Sequence, residues 1–261
     1  MSMLAIENVS KTFVTKRGGA QQRTHALSDV SLTVNEGEFC VIIGSSGCGK
    51  STLLRLIDGL ILPSAGRILI QGNEVKSPGP DRGVVFQHAN LMPWRTVRGN
   101  IEFGLECLGF SKSVRKERAT RYIEMVGLTK FEDHYPGQLS GGMQQRVGLA
   151  RAFAVEPEIL LMDEPFGALD AQTKLLMQTE LERIWSVQKR TAILITHDIE
   201  EALFLADRIV VMSAHPGRIA NIVDVPFARP RHDAVRSDPL FGEMKLQLWD
   251  ALKAGMGGTN E

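Results

Sequence analysis

The chain has 261 residues, 43% of them hydrophobic, which is enough apolar surface for a full buried core. Thirty lysines and arginines balance thirty aspartates and glutamates, so the chain lacks the basic excess that a nucleic-acid binder normally carries. It holds no run of eighteen apolar residues that would span a membrane, and its three cysteines form no C-x-x-C pair, which argues against a zinc site and favours a reducing cytoplasm.

In chain order, the first predicted elements are two strands of a small sheet, at residues 5–9 and 31–34. The polar stretch at residues 15–24 contains Gly18 and Gly19, so it is predicted to be a surface loop. A short apolar run at residues 41–43 predicts a buried strand, and residues 51–57 predict the helix that follows it.

Further along the chain, the predicted elements change from strands to helices and back again. Strands are predicted at residues 67–70 and 83–86. Between residues 90 and 139 strand-like runs vanish, and an apolar face at helical spacing predicts an inserted helical segment; it consists of Ala119, Tyr122, Ile123 and Val126. Three more strands, at residues 159–162, 192–196 and 209–212, alternate with helices. This alternation predicts a largely parallel sheet with helices on both faces.

The segment between the predicted strand at 41–43 and its helix fits the phosphate-binding pattern G-x-x-x-x-G-K-[ST]. Glycines let successive backbone N–H groups curl round an anion, and the helix N-terminus adds partial positive charge. Lys50 is expected to reach the β- and γ-phosphates, and the Ser51 hydroxyl to ligate Mg²⁺. The pattern therefore predicts a nucleoside triphosphate site formed by Gly44, Ser45, Ser46, Gly47, Cys48, Gly49, Lys50, Ser51 and Thr52. Because Cys48 lies inside the loop, alkylation of its thiol is expected to block nucleotide binding.

Polar residues also stand at the carboxyl ends of predicted strands, where α/β sheets bind their ligands. They are Gln87, Asp163, Glu164 and His197. A second phosphate cradle is predicted where Ser140, Gly141 and Gly142 open a helix that runs to Phe153. Ser140 suits the N-cap position, and the two glycines expose backbone N–H groups at the positive end of the helix.

With these features in place, the chain resembles the nucleotide-binding subunit of ATP-binding cassette (ABC) transporters over about residues 3 to 230. Seven motifs of that family occur in the family's order, and the ordered set is far more specific than any single motif. They are an aromatic residue expected to stack on adenine, the phosphate loop, the Q-loop, the signature region, the Walker B strand with its glutamate, the D-loop and the switch histidine. In this chain they are Phe13, residues 44–52, Gln87, residues 136–146, residues 159–165, Ala168-Leu169-Asp170 and Thr196-His197-Asp198.

The resemblance implies roles in ATP hydrolysis, with ATP and Mg²⁺ as the expected cofactors. Asp163 would hold the hydrated Mg²⁺ together with Ser51 and an oxygen of Gln87. Glu164 would be the general base that accepts a proton from the attacking water or orients it. His197 would hydrogen-bond the γ-phosphate and that water. The expected catalytic residues are therefore Glu164, His197, Gln87 and Lys50.

The resemblance also explains why one chain carries two phosphate cradles. The working unit would be a head-to-tail homodimer with two ATP molecules between the phosphate loop of one copy and Ser140, Gly141 and Gly142 of the other. Asp170 would couple the two sites. ATP binding would close the dimer, and hydrolysis would open it.

The fold class that follows is α/β, a P-loop NTPase (RecA-like) core with a parallel sheet, an N-terminal antiparallel β part and an inserted α-helical subdomain. The expected domains are an ABC ATPase domain over residues 1–230, with the helical subdomain inserted at residues 90–139, and a short C-terminal tail at residues 231–261.

Three segments resemble importer ATPases in particular. Residues 91–101, with Pro93 and Trp94, resemble the segment that receives the coupling helix of a membrane permease; residues 166–170 have the importer form, and residues 213–219 resemble the nitrate/sulfonate/taurine subfamily. The expected function is ATP hydrolysis that energises uptake of a small anion, such as an aliphatic sulfonate, taurine or nitrate, through a separate integral membrane permease. A periplasmic or lipid-anchored solute-binding protein would deliver the anion. The chain itself would be peripheral, at the cytoplasmic face of the inner membrane, without a nucleic-acid partner.

Two other classes of function remain open. A soluble cassette ATPase without a permease, of the iron–sulfur assembly type, offers no reason for the Pro93-Trp94 segment or for the turn at residues 215–218. A P-loop kinase would need an acceptor site and a lid, and it leaves the Ser140 cradle unexplained.

Overall fold

A computed structural model describes residues 2–17, 20–167 and 169–256. The strands are β1 (Ser2–Arg17), β2 (Ala20–Asn35), β3 (Phe39–Gly44), β4 (Ala65–Ile70), β5 (Asn73–Glu74), β6 (Arg82–Val85), β7 (Ile159–Asp163), β8 (Thr191–Thr196), β9 (Arg208–Ser213) and β10 (Arg218–Asp224). The α-helices are α1 (Lys50–Asp58), α2 (Val97–Cys107), α3 (Lys112–Met125), α4 (Gly141–Ala154), α5 (Ala171–Gln188), α6 (Ile199–Leu205) and α7 (Pro239–Met256). The chain divides into two compact units, Met1–Gly79 with Thr191–Glu261, and Pro80–Arg190.

An antiparallel sheet in the first unit contains β1, β2, β4 and β5. The predicted loop at residues 15–24 is wrong for the part that is described, because β1 continues to Arg17 and β2 begins at Ala20. The ladder bonds of the hairpin satisfy the backbone N–H and C=O groups, so polar side chains are tolerated on an exposed ribbon. Gly18 and Gly19 lie outside the described residues. Phe13 lies within β1, opposite Thr24, instead of following the strand.

The other strands of the first unit are centred on β3, which pairs in parallel with β8 and β9. β10 then pairs antiparallel with β9. Every residue of β3 and β8 is buried, which explains why both strands read as continuous apolar runs in the sequence. β3 leads directly into the phosphate loop and α1.

The second unit contains the parallel pair β6 and β7 together with α2, α3, α4 and α5. Apart from short 3-10 turns, the regular elements within residues 90–139 are the helices α2 and α3, as the sequence predicted. The rings of Tyr122 on α3 and Phe153 on α4 stack with centroids 6.5 Å apart and help to fix the two helices against each other. The domain boundaries proposed from the sequence stay predictions.

The predicted C-terminal tail contains a 3-10 turn (Asp233–Ser237) and the amphipathic helix α7. One face of α7 is buried, through Phe241, Met244, Leu248 and Leu252. The opposite face carries exposed residues such as Trp249. Among the helices described, none combines the length and apolar content that crossing a membrane requires.

Candidate nucleotide-binding site

The phosphate loop joins the end of β3 to the start of α1, as the sequence predicted. Gly47 and Gly49 have φ values of 79° and 96°, in the left-handed region that glycine enters without strain. The Lys50 side chain is 7% exposed, and its Nζ donates hydrogen bonds to the carbonyl oxygens of Gly44 at 2.8 Å and Ser45 at 3.1 Å. The ammonium group is therefore held within the loop, where it adds a full positive charge to the helix N-terminus.

Cys48 is fully buried within this loop. Burial raises the pKa of its thiol, and the lowering effect of Lys50 is smaller. A buried, protonated thiol reacts slowly with alkylating reagents, because the thiolate is the nucleophile. The predicted block of nucleotide binding by alkylation therefore requires the loop to open first.

His197 lies next to the phosphate loop, at the same edge of the sheet. β8 runs parallel to β3 with Thr196 opposite Ile43, so His197 and Gly44 both emerge at the carboxyl ends of neighbouring strands. The Thr196 hydroxyl accepts a hydrogen bond from the Asp198 N–H at 3.0 Å, and the Asp198 carboxylate caps α6. These contacts fix the backbone on both sides of His197, whose side chain is exposed.

Phe13 lies on β1 in the same unit, and its side chain is 36% exposed. The Lys11 ammonium lies 5.3 Å from the centroid of its ring, which is cation–π distance. An aromatic face on an exposed strand suits the predicted stacking on adenine. That role stays a prediction.

In the second unit, Gln87 and Glu164 lie side by side. Val85 is opposite Met162 in the parallel pair of β6 and β7. Gln87 and Glu164 each come two residues later, so they follow the ends of neighbouring strands. A methyl group placed on Gly167 would lie 3.2 Å from Gln87 Nε2 and 3.5 Å from Glu164 Oε2. Both side chains therefore border Gly167. Asp163 is the last residue of β7 and directly precedes Glu164.

Glu164 has a φ of 44°, which places a non-glycine residue in the left-handed region. Such backbone conformations are strained, and they concentrate at functional sites. The Gly167 N–H donates to the Glu164 carbonyl oxygen at 3.0 Å and holds this turn in place.

The second predicted cradle has the expected local geometry. Ser140 is the N-cap of α4, and its Oγ accepts a hydrogen bond from the Met143 N–H at 3.3 Å. Nothing lies within 4 Å of a methyl group placed on Gly141, so this helix start is open. On Gly142 such a group would meet Thr173 Cγ2 at 2.7 Å, which shows that the starts of α4 and α5 are in contact.

Asp170 is the N-cap of α5 and accepts a hydrogen bond from the Thr173 N–H at 3.1 Å. Hydrogen bonding to Thr173 lowers the pKa of Asp170, so its carboxylate is charged at neutral pH. Asp170 thus fixes the helix that touches the second cradle. Ala168, the first residue of the predicted D-loop, lies outside the described residues.

Two residues that sequence reasoning did not single out connect α4 to the Q-loop. Gln145, which is 4% exposed, donates from Nε2 to the Phe86 carbonyl oxygen at 3.2 Å. Arg151 donates to the carbonyl oxygens of Ala89 and Asn90 at 2.7 and 3.0 Å. The signature motif contains Gln145, but no sequence spacing indicates which carbonyl group its amide binds.

Cavities flank the start of α4 within the second unit. One of about 550 Å³ is lined by Ser140, Gly142, Arg146 and Thr173, among others. Another of about 300 Å³ is lined by Gln87, Gly141 and Gln145, among others. The predicted signature and Q-loop residues thus border open space that polar ligand groups can enter.

Comparison with protein families gives a match to the ABC transporter family over residues 27–167. An uncharacterized ABC transporter ATP-binding protein of Methanocaldococcus jannaschii is 51% identical over 250 residues, which cover 96% of this chain and 91% of that protein. A bicarbonate transport ATP-binding protein of Synechocystis sp. is 47% identical over 255 residues, which cover 96% of this chain and 89% of that protein. A nitrate import ATP-binding protein of Synechococcus elongatus is 46% identical over 253 residues, which cover 95% of this chain and 91% of that protein.

Among solved structures, a dimeric ATP-binding cassette in a post-hydrolysis state, bound to ADP and Pi, is similar in fold. Its TM-score is 0.74 at 34% sequence identity, and the match covers 87% of this chain and 100% of that chain. The predicted α/β fold class, a P-loop NTPase core with an antiparallel N-terminal sheet, is confirmed.

Proposed function

The chain belongs to the ABC transporter family, and we propose that it is the ATP-hydrolysing subunit that energises import of a small anion. The observation that carries this proposal is the identity of 46–47%, over 95–96% of the chain, to proteins named for nitrate import and bicarbonate transport. Nitrate and bicarbonate are small planar oxyanions. We place them ahead of aliphatic sulfonates and taurine, which the sequence motifs also favour.

ATP binding is assigned to the phosphate loop together with Phe13. The backbone N–H groups of the loop and the Lys50 ammonium would surround the triphosphate, and Phe13 would stack on the adenine ring. The buried position of Lys50 supports this role, because its charge is already in place before the nucleotide binds. His197 would reach the γ-phosphate from the neighbouring strand end.

The residues assigned to Mg²⁺ suit that ion by their chemistry. Ser51, Gln87 and Asp163 offer a hydroxyl, an amide and a carboxylate oxygen, and Mg²⁺ prefers hard oxygen ligands. Among the described residues there is no cluster of three or more His, Cys, Asp and Glu side chains that would form a complete protein-only site. That agrees with an ion that keeps water and phosphate oxygens as ligands. Ser51, Gln87 and Asp163 would hold the ion, which would supply positive charge beside the phosphates.

Hydrolysis is assigned to Glu164 with Gln87 beside it. Glu164 would take a proton from the attacking water or orient that water in line with the γ-phosphate. The strained backbone at Glu164 and the shared border at Gly167 support a fixed position for its carboxylate. His197 would donate a hydrogen bond to the γ-phosphate and help to place the water.

The signature residues are assigned to the ATP of a second copy. Ser140, Gly141 and Gly142 form an open helix start that would bind the γ-phosphate held in the partner's phosphate loop. The similar cassette bound to ADP and Pi is itself dimeric. Asp170, which fixes α5 against this helix start, would couple the two sites.

The permease contact is assigned to the segment around Trp94, which is 74% exposed. The buried Asn100 holds this segment rigidly, since its Nδ2 donates to the Met92, Arg95 and Thr96 carbonyl oxygens at 3.0–3.2 Å. Its Oδ1 accepts from the Met92 N–H at 2.8 Å. A large exposed aromatic side chain on a fixed backbone suits a protein contact.

The test is a pull-down of the tagged chain from detergent-solubilised native membranes, with identification of the proteins that co-purify. We expect a multi-spanning permease in about equal amount. Trp94→Ala should lose it, whereas Trp249→Ala, which removes another exposed tryptophan, should retain it. Only soluble partners would contradict the importer proposal and favour an assembly-type ATPase. The solute-binding protein of the same system would then be titrated with nitrate, bicarbonate and taurine.

A further inference from the structure

The turn that joins β9 to β10 lies directly against the phosphate loop, although no predicted motif assigns it a role. The Gly217 N–H donates to the Ala26 carbonyl oxygen at 3.0 Å, and the Gly217 carbonyl oxygen accepts from the Ser28 N–H at 3.0 Å. Leu27 and Gly217 thereby form a short parallel bridge. Arg218 adds a side-chain bond from Nη2 to Ser28 Oγ at 3.0 Å.

This bridge leaves no space between itself and the loop. A methyl group placed on Gly217 would lie 2.1 Å from the Cys48 carbonyl oxygen. One placed on Gly49 would lie 2.6 Å from Leu27 Cδ2 and 2.9 Å from the Ala26 carbonyl oxygen. We call Ala26, Leu27, His215 and Gly217 the outer wall of the phosphate loop.

His215 completes the outer wall beside Gly47. Its Cε1 lies 3.8 Å from the position of a methyl group on Gly47, which is ordinary van der Waals distance. His215 also has a φ of 53°, in the left-handed region that a non-glycine residue rarely adopts. Such a conformation persists where surrounding contacts fix it, so the turn is held firmly in place.

We propose that the outer wall holds the phosphate loop in its anion-binding conformation, and that Gly217 is a positioning residue for nucleotide binding. The loop contains several glycines, which have many backbone conformations available when nothing restrains them. A wall that removes these alternatives lowers the entropy lost on binding, so affinity rises without a new contact to the ligand. The inference rests on the proposed assignment of ATP to this loop.

Gly217→Ala is a purely steric test, because the φ of Gly217 is not in the left-handed region and an alanine backbone fits there. Its matched control is Gly242→Ala in α7, where nothing lies within 4 Å of the added methyl group. Both would be made in a Cys107→Ser background that removes the exposed thiol. ADP affinity would be measured by calorimetry, and modification of Cys48 and Cys40 by N-ethylmaleimide would be followed by peptide mass spectrometry.

We expect Gly217→Ala to bind ADP about tenfold more weakly and to expose Cys48 to modification, while Cys40 in β3 stays protected. Gly242→Ala should match the parent protein in both measurements. If the parent protein itself does not bind ADP, the proposed function fails. If the parent binds ADP and Gly217→Ala binds it equally well, the outer wall does not position the loop.

If Gly217→Ala unfolds the protein, the buried Cys40 will also be modified. In that case Arg218→Ala provides the test of the proposal. It removes the bond to Ser28 from an exposed position and introduces no clash. We expect ADP binding about threefold weaker and faster modification of Cys48, with Cys40 still protected. Unchanged ADP affinity and unchanged Cys48 protection in this variant would overturn the proposal.

Discussion

At the scale of single residues, Lys50 is the proposed source of positive charge within the phosphate loop. Its ammonium is buried between the Gly44 and Ser45 carbonyl oxygens, where a positive charge acts more strongly than in water. We predict that Lys50→Ala weakens ATP binding by about tenfold or more. Titration with a fluorescent ATP analogue would measure this loss. Lys130→Ala, which removes an exposed lysine, is the control, and equal affinities for the two variants would contradict the assignment.

The three cysteines are predicted to differ widely in reactivity. Desolvation raises the pKa of Cys40 to about 12, and burial also raises the pKa of Cys48, so both remain protonated thiols near neutral pH. Cys107 is exposed. We therefore expect N-ethylmaleimide at neutral pH to modify the Cys107 thiol rapidly and the other two thiols slowly. In intact-mass measurements, Cys107→Ser should abolish the rapid phase of modification. A rapid phase that survives this substitution would show that a buried thiol is accessible.

At the scale of elements, the short helix α6 depends on an arginine from the C-terminal tail. Arg231 is 3% exposed, and its Nη1 donates to the carbonyl oxygens of Leu203, Phe204 and Ala206 at 3.4, 3.1 and 2.7 Å. It thereby satisfies the carbonyl groups that a helix C-terminus leaves without intrahelical partners. Because α6 begins directly after His197 and Asp198, this support also acts on the candidate site.

We predict that Arg231→Met lowers the free energy of unfolding by about 3 kcal/mol, because several buried carbonyl groups lose their donor. Urea denaturation would measure the change. Arg231→Lys keeps the positive charge but lacks the planar guanidinium group with its several N–H donors. It should therefore recover only part of the lost stability. If Arg231→Met were as stable as the parent protein, the tail would not support α6.

The strands were predictable wherever burial dictates their composition, and less so elsewhere. Residues 41–43 and 192–196 are apolar throughout because β3 and β8 are fully buried. The outer part of the β1–β2 hairpin was missed because its side chains are polar and only its backbone pairing, such as Thr15 opposite Gln22, reveals the strand.

The candidate site likewise has some features that the sequence predicts and others that it does not. Motif spacing predicted Gly44 and Lys50, since phosphate binding requires particular residues at fixed separations. Glu164 was predicted from its position at the carboxyl end of a strand and from the family resemblance. The contact between Gly217 and Cys48 could not be read from the sequence, because it joins residues far apart in the chain through backbone atoms that any residue possesses.

At the scale of the whole molecule, the predicted site residues are distributed over both units. The first unit contains the phosphate loop, His197 and Phe13, and the second contains Gln87, Asp163, Glu164 and the signature residues. The proposed reaction therefore needs groups from both units, and the signature residues are assigned to a second copy of the chain. Dimer formation in response to ATP is the property that this assignment requires.

The most direct test is the mass of Glu164→Gln in solution with saturating ATP at low salt, measured by sedimentation velocity. Removing the proposed general base should block hydrolysis and leave ATP bound, so we predict a shift from a 28.8 kDa monomer to a dimer of twice that mass. At the same ATP concentration, Glu164→Gln combined with Lys50→Ala should form less dimer than Glu164→Gln alone, because Lys50→Ala weakens ATP binding. A Glu164→Gln protein that binds ATP and stays at 28.8 kDa would contradict the ATP-sandwich account.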